Sequence, residues 1–193
     1  MKQKKLLAIL GSPHKNGTTA AMLTCALDAA EAAGYAITKI DLYEKQLAFC
    51  KGCHACEKNG FCILPDDIAE ITAALKSADV VVLAAPVYWA NVPAVVKNLF
   101  DRLFGTAMEE TRTFPKPRLK GKRYLLLTAC HTPAPFSYLF GQSRCALHSM
   151  DEFFKTAGMK CIGRVVRSNA HGENALPKSL IKKIQRCFRK INK

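Results

Sequence analysis

"ADVVVLAAPVYWANVPAVVKNLFDR" (residues 78–102) is an apolar run that breaks at a proline and resumes as a helix. Val80 to Ala85 are apolar without interruption. A strand with one wet face alternates apolar and polar residues, so an unbroken run is expected to be buried on both sides. Pro86 turns the chain, and Val92–Phe104 has the spacing of a helix. A strand covered on both faces calls for helices above and below a parallel sheet.

The rest of the chain repeats that alternation. Lys5–Leu10 is a short apolar strand ending in "GSPHKNGTT". Thr18–Ala33 is an alanine-rich helix closed by Gly34. Tyr35–Leu42 alternates as a strand. Pro65-Asp66-Asp67 opens a helix, with Asp67 and Glu70 at capping-box spacing. "RYLLLTAC" (123–130) and "KCIGRVVR" (160–167) are further strands. Tyr138–Ala157 and Leu176–Ile191 are helices. Five β/α units predict a flavodoxin-like doubly wound five-stranded parallel sheet with helices on both faces. The 193 residues fit a single domain, 1–193, with a cysteine-rich loop insertion at about 47–65. Ligands of such sheets bind beyond the carboxyl ends of the strands, which selects the loops 11–19, 86–92 and 129–137.

The formal charge is +14, concentrated in "PKPRLKGKR" (115–123) and the C-terminal "KSLIKKIQRCFRK". Such a balance attracts anions. Leu180, Ile181, Ile184, Phe188 and Ile191 recur at helical spacing, so the second segment is an amphipathic helix with a cationic outer face. No aromatics interleave with these charges, which argues against a single-strand nucleic-acid binder. The longest apolar stretch, Val80–Ala90, falls short of the roughly 20 residues of a membrane span. The apolar run after the basic N-terminus, Leu6–Leu10, is too short for a signal peptide. A cytoplasmic protein is expected, in which thiols stay reduced and clustered cysteines point to metal or redox chemistry.

"GSPHKNGTT" offers backbone amides and a helix N-terminus to an anion, with Ser12, Thr18 and Thr19 as hydroxyl donors. Thr18 stands where a Walker A lysine belongs, and Pro13 occupies the second glycine of G-x-G-x-x-G. A monophosphate suits the loop better than a triphosphate or a dinucleotide. Beyond the central strand, Pro86, Val87, Tyr88 and Trp89 can face a flat, largely apolar ligand. Covering the core edge is the ordinary alternative for these aromatics.

Together with "CKGCHACEKNGFCILPDDI" (50–68), these two motifs resemble the flavodoxin-like NAD(P)H-dependent FMN reductases, and within them the iron–sulfur flavoprotein branch. The match runs over about residues 5 to 105. It implies FMN, with its phosphate on Ser12, His14, Asn16, Gly17, Thr18 and Thr19 and its isoalloxazine against Pro86, Val87, Tyr88, Trp89 and Asn91. The family usually has arginine where His14 stands. The resemblance also implies NAD(P)H as co-substrate and a homo-oligomer, dimer or tetramer, with the cysteine loop and segment 105–120 as interface pieces.

Cys50, Cys53, Cys56 and Cys62 have the spacing C-x2-C-x2-C-x5-C. Overlapping C-x-x-C units bring thiols to one side of a tight loop and can wrap a [4Fe–4S] cluster. Zinc fits less well, because structural zinc sites clamp the ion between two separated pairs. Cysteines without a cluster remain open. The reading that results is an FMN-dependent oxidoreductase moving electrons between NAD(P)H or a ferredoxin-like donor and an acceptor, with no catalytic acid or base assigned. Alternatives are a cluster-free reductase of flavins or quinones, a nucleic-acid-binding redox sensor, and a zinc-holding binding module.

Overall fold

The computed structural model describes residues 3–189. Five parallel strands form the central sheet: β1 (Lys5–Leu10), β2 (Ala36–Asp41), β3 (Val80–Pro86), and two strands later in the chain, Arg123–Ala129 and Lys160–Arg167. Numbered in chain order, with a two-stranded ribbon of β4 (Met108–Glu109) and β5 (Lys116–Pro117) intervening, the last two are β6 and β7. The order across the sheet is β2-β1-β3-β6-β7. The chain therefore reverses its direction of travel between β1 and β3, the switch point of a flavodoxin-like sheet.

The apolar runs of β1 and β3 are explained by the two cores. Leu7, Ile9, Val81 and Leu83 point to one face and join the helices α3 (Ile68–Ser77), α4 (Ala94–Arg102) and α7 (Gln142–Thr156). Leu6, Ala8, Leu10, Val80, Val82 and Ala84 point to the other, against α1 (Thr18–Glu31) and α8 (Lys178–Arg189). Alternation persists in the geometry while both sets are apolar, because both faces are dry. Phe154 of α7 stacks on Tyr124 of β6 at 4.8 Å, and Phe153 stacks on Phe100 of α4 at 4.6 Å. Beneath them Tyr124 donates to Asp151 Oδ1 at 2.7 Å, and Arg164 Nε donates to Asp151 Oδ2 at 2.5 Å.

Several expected boundaries move for local reasons. The expected helix over 138–157 is two pieces, α6 (Phe136–Leu139) and α7, because Gly141 takes φ +83° between them. The expected helix over 92–104 begins after Pro93, and the short α5 (Phe104–Ala107) follows α4. Asp67 does not cap α3 with its side chain. Its carboxylate instead accepts from Gln46 N at 2.7 Å, and Asp66 Oδ1 accepts from Ile68 N at 3.1 Å. Buried Leu180, Ile184 and Phe188 agree with the expected inner face of α8, whereas Ile191 lies outside the described residues.

Arg102, at the end of α4, is 1% exposed. Its guanidinium forks onto Asp66, with both N–H···O contacts at 2.8 Å, and also donates to the carbonyl of Ala48. Asn98, one turn earlier, reaches the carbonyls of Leu47 and Ala48 at 3.3 Å. The two ends of the cysteine segment are thereby clamped to α4. Burial pushes the Asp66 carboxyl up, but the Arg102 fork and the N–H groups of Ile68 and Ala48 outweigh it and hold the group below the ordinary carboxylate range. Asp151 is likewise held low, its burial outweighed by Arg164 and Tyr124.

Removing one partner of a buried fork leaves the other charge stranded, so Arg102→Met should lower unfolding stability by about 3–5 kcal/mol. Urea denaturation measures this, and adding Asp66→Leu to that variant should recover much of the loss. The sign of the pH dependence follows from depressed folded-state pKa values. Asp66 and Asp151 contribute stability above their unfolded pKa, near 4, and lose it as pH falls through the lower folded value. Denaturation midpoints measured down to about pH 2 should fall, and Asp66→Asn should make that decline shallower.

Candidate functional site

A cleft of about 770 Å³ opens at the carboxyl edge of the sheet. The β1–α1 loop forms one wall. Gly11 N donates to Ala84 O at 2.8 Å, which ties the start of the loop to β3. A Cβ on Gly11 would overlap Val96 Cγ2, so only glycine lets α4 pack this close. Gly17 N donates to His14 O at 3.2 Å, closing a turn. Gly17 is the N-cap of α1, and no side chain caps that terminus. Its first-turn N–H groups are therefore left for a ligand or solvent.

Ser12 is buried, and its Oγ accepts from His14 N at 3.3 Å, which leaves its own proton free to donate. Thr18 is placed otherwise than expected. Its hydroxyl donates to Glu173 O at 2.6 Å, so it is committed to the loop before α8 and is not a spare donor. Lys15 lines the cleft but pairs with Glu44.

The β3–α4 turn forms the second wall. Val87 N donates to Ala129 O at 2.9 Å, and Tyr88 and Asn91 exchange backbone hydrogen bonds at 2.8 and 2.9 Å. Trp89 and Ala90 between them are left-handed, φ +51° and +58°. Two consecutive left-handed residues make the type I′ geometry that usually needs Asn or Gly. This turn throws Trp89 into solvent, with a relative exposure of 101%. Ser12, His14, Asn16, Gly17, Thr18, Thr19, Pro86, Val87 and Tyr88 thus line one cleft, while Trp89 and Asn91 do not. For Trp89 the strained turn is the reason. Asn91 spends its Oδ1 on Val92 N at 2.8 Å.

The expected loop 129–137 also reaches the cleft, but sequence reading missed the loop after β7 that lies beside it. Ala170, His171 and Gly172, after β7, line the cleft beside Ala129, Cys130 and His131. Cys130 N donates to Arg167 O at 3.0 Å, Ala170 N to Cys130 O at 3.0 Å and Asn169 N to Thr132 O at 3.2 Å. The pairing of β6 with β7 is thereby prolonged past the strand ends. It sets the rings of His131 and His171 edge to face at 5.4 Å. The signal in the sequence was the polar, glycine-bearing "SNAHGEN" (168–174) directly after a strand.

The cysteine segment lies apart from this cleft's lining. It holds one helical turn, α2 (Ala55–Asn59), started by left-handed His54 and ended by left-handed Gly60. Arg102 Nε donates to Cys62 Sγ at 3.1 Å. Gly105 must be glycine, because a Cβ there would overlap the carbonyl of Cys56. Burial raises the Cys56 thiol, opposed by the N–H of Gly105. Cys56 and Cys62 are half-buried, while Cys50 and Cys53 are exposed, and all four are free thiols. His54 pairs with Glu57 at 2.5 Å, which raises the imidazole. Among the described residues, no three His, Cys, Asp or Glu side chains gather as metal ligands. The expected set of Cys50, Cys53, Cys56 and Cys62 is not gathered as metal ligands in this arrangement: Arg102 holds Cys62, Gly105 packs on Cys56, and Cys50 and Cys53 are exposed. Two cations of the basic segment 115–123 turn onto carbonyls. Arg118 donates to Gly105 O at 2.7 Å, and Lys122 donates to the carbonyls of Lys76 and Ala78 at 2.8 and 2.5 Å.

Comparison with known proteins bears on what such a cleft serves. The chain is 36% identical over 118 residues to an iron–sulfur flavoprotein of Archaeoglobus fulgidus, which is 61% of this chain and 50% of that protein. It is 38% identical over 98 residues to an iron–sulfur flavoprotein of Methanosarcina thermophila, 51% of each. The chain thus spans about half the length of the curated relatives it matches. Among solved structures, an NAD(P)H:quinone oxidoreductase from Methanothermobacter marburgensis superposes with a TM-score of 0.76 at 16% identity, covering 98% of this chain and 100% of that one. An FMN-dependent NADH-azoreductase from Bacillus anthracis, in complex with FMN, gives 0.66 at 16% identity over 98% and 97%. These likenesses show the flavodoxin-like fold. Residues 4–172 match the family described as NADPH-dependent FMN reductase, and the chain belongs to that family.

Proposed function

We propose that this chain is a flavoprotein oxidoreductase that binds FMN in the cleft and moves electrons from NAD(P)H, or from a ferredoxin-like carrier, to an acceptor. The observation that carries the reading is the pairing of an uncapped helix N-terminus with an apolar wall in one cleft at the switch point. The residues present fit FMN. The amides of Asn16, Thr18 and Thr19 and the free Ser12 proton suit a phosphate, and Pro86, Val87 and Tyr88 suit one edge of a flat ring. The N–H groups of Val87 and Tyr88 are spent on holding the turn, so that wall orients by shape. Bound FMN would supply the hydride and electron chemistry. The chain's part is to hold the phosphate, orient the ring and narrow its access to water. The names of the quinone oxidoreductase and azoreductase neighbours support this direction.

A second reading, in which Cys50, Cys53, Cys56 and Cys62 bind a [4Fe–4S] cluster, is favoured by the names of the relatives and by the cysteine spacing. The thiols as placed do not fit a cluster, so no electron-transfer step is derived through one. An oligomer is supported by a groove of about 670 Å³ lined by Phe100, Phe104, Phe153, Met108, Thr111 and Pro115 among others. That groove includes part of the expected 105–120 interface piece. Nucleic-acid binding is not favoured, since Arg118 and Lys122 are tied to carbonyls. Among the described residues no helix is long and apolar enough to cross a membrane. A cytoplasmic location remains part of the proposal.

Protein saturated with FMN and desalted should retain close to one flavin per chain and oxidise NAD(P)H only when loaded. A chain that retains no flavin at micromolar concentrations would sink the reading. Ser12→Ala should weaken FMN about tenfold or more, the worth of a hydrogen bond to a charged group, as measured by quenching of flavin fluorescence. Iron and sulfide assays on anaerobically purified and reconstituted protein separate the two readings. The arrangement of the thiols predicts flavin without stoichiometric iron. Iron near four per chain would establish the cluster instead.

A further inference from the structure

We infer that His171, braced by His131, is the cation that pairs with the phosphate of the flavin, an inference that rests on FMN being the ligand of the cleft. A phosphate monoester carries close to two negative charges at neutral pH. Amide dipoles at a helix N-terminus amount to only about half a charge. Some fixed cation is therefore expected near the group. On the β1–α1 loop Lys15 is turned toward Glu44 in an exposed pair, and no arginine lines the cleft. Three of the chain's five histidines do, namely His14, His131 and His171.

His171 is the one the fold holds in place. Its ring Nε2 lies 3.1 Å from Asn169 Oδ1, and its backbone N donates to the Glu173 carboxylate at 2.9 Å. Glu173 O in turn accepts the Thr18 hydroxyl at 2.6 Å. Two residues span at most about 7 Å of chain, so this bond docks the His171 loop directly on the first residue of α1. His131 packs its ring against that of His171 from the neighbouring loop. Glu173 carries the nearest opposing charge on the same loop, held ionised by the N–H of His171 and its own backbone N–H, and Arg167 lies behind it. With Nε2 engaged by Asn169, Nδ1 is the nitrogen left for an anion, and it donates when the ring is charged. Anion pairing by an imidazolium then adds to the amide cradle instead of replacing it.

The test compares FMN with riboflavin, which lacks only the phosphate. At about pH 6, on the acid side of the range in which imidazoles titrate, wild-type protein should prefer FMN strongly. His171→Gln should cut the ratio of FMN to riboflavin affinity by about tenfold while leaving riboflavin affinity unchanged. His171→Lys should restore much of the ratio. Circular dichroism melts of the flavin-free variants check that the loop change has not unfolded the chain. An unchanged ratio in His171→Gln overturns the inference, as does a loss confined to His14→Gln. Failure of wild-type protein to bind either flavin overturns the proposed function itself.

Discussion

Strands β1 and β3 have no face left for water. Leu6 to Leu10 and Val80 to Ala85 are buried on both sides, and the two helical layers exist because both faces must be covered. At about 25 cal/mol per Å² of buried apolar surface, such strands dominate the favourable side of folding. Everything polar at their carboxyl ends is consequently expelled to one edge. The loops after β1, β3, β6 and β7 meet there, and the cleft is the space between them.

On that edge, hydrogen bonds between loops replace the sheet ladder. Gly11 to Ala84, Val87 to Ala129 and Ala170 to Cys130 each tie the segment after one strand to the neighbouring strand or its loop. Each satisfies a backbone donor near the end of a strand. They make the cleft a continuation of the sheet, so its walls inherit the rigidity of the core. The Thr18 bond to Glu173 closes the ring from the far side, between α1 and the segment before α8.

The cysteine segment depends on a different device. A guanidinium as buried as that of Arg102 is tolerated because Asp66, Ala48 and Cys62 occupy its donors. The same group that clamps the ends of the segment therefore fixes one thiol, and α5 packs against a second through Gly105. Cys50 and Cys53 lie beyond the reach of these contacts and stay exposed. Four cysteines that look equivalent in the sequence are two pairs in the structure, one anchored and one not.

The flavodoxin-like sheet, the two dry faces and three of the four loops at the cleft were legible in the sequence. They follow from local pattern: unbroken apolar runs, helical spacing, and glycine, proline and hydroxyl residues at strand ends. What stayed hidden depended on contacts across long separations. The hydroxyl of Thr18 looked free until Glu173, 155 residues later, was seen to accept from it. Trp89 looked like a wall of the cleft until the left-handed turn carried it outward. The stretch around His171 was marked only as a polar loop after a strand, and its place at the cleft is decided by how that segment folds back over the first loop. Sequence alone determines which faces are apolar, because that is a property of each residue. Only tertiary structure decides which polar groups are already spent, because a hydrogen bond belongs to two residues at once.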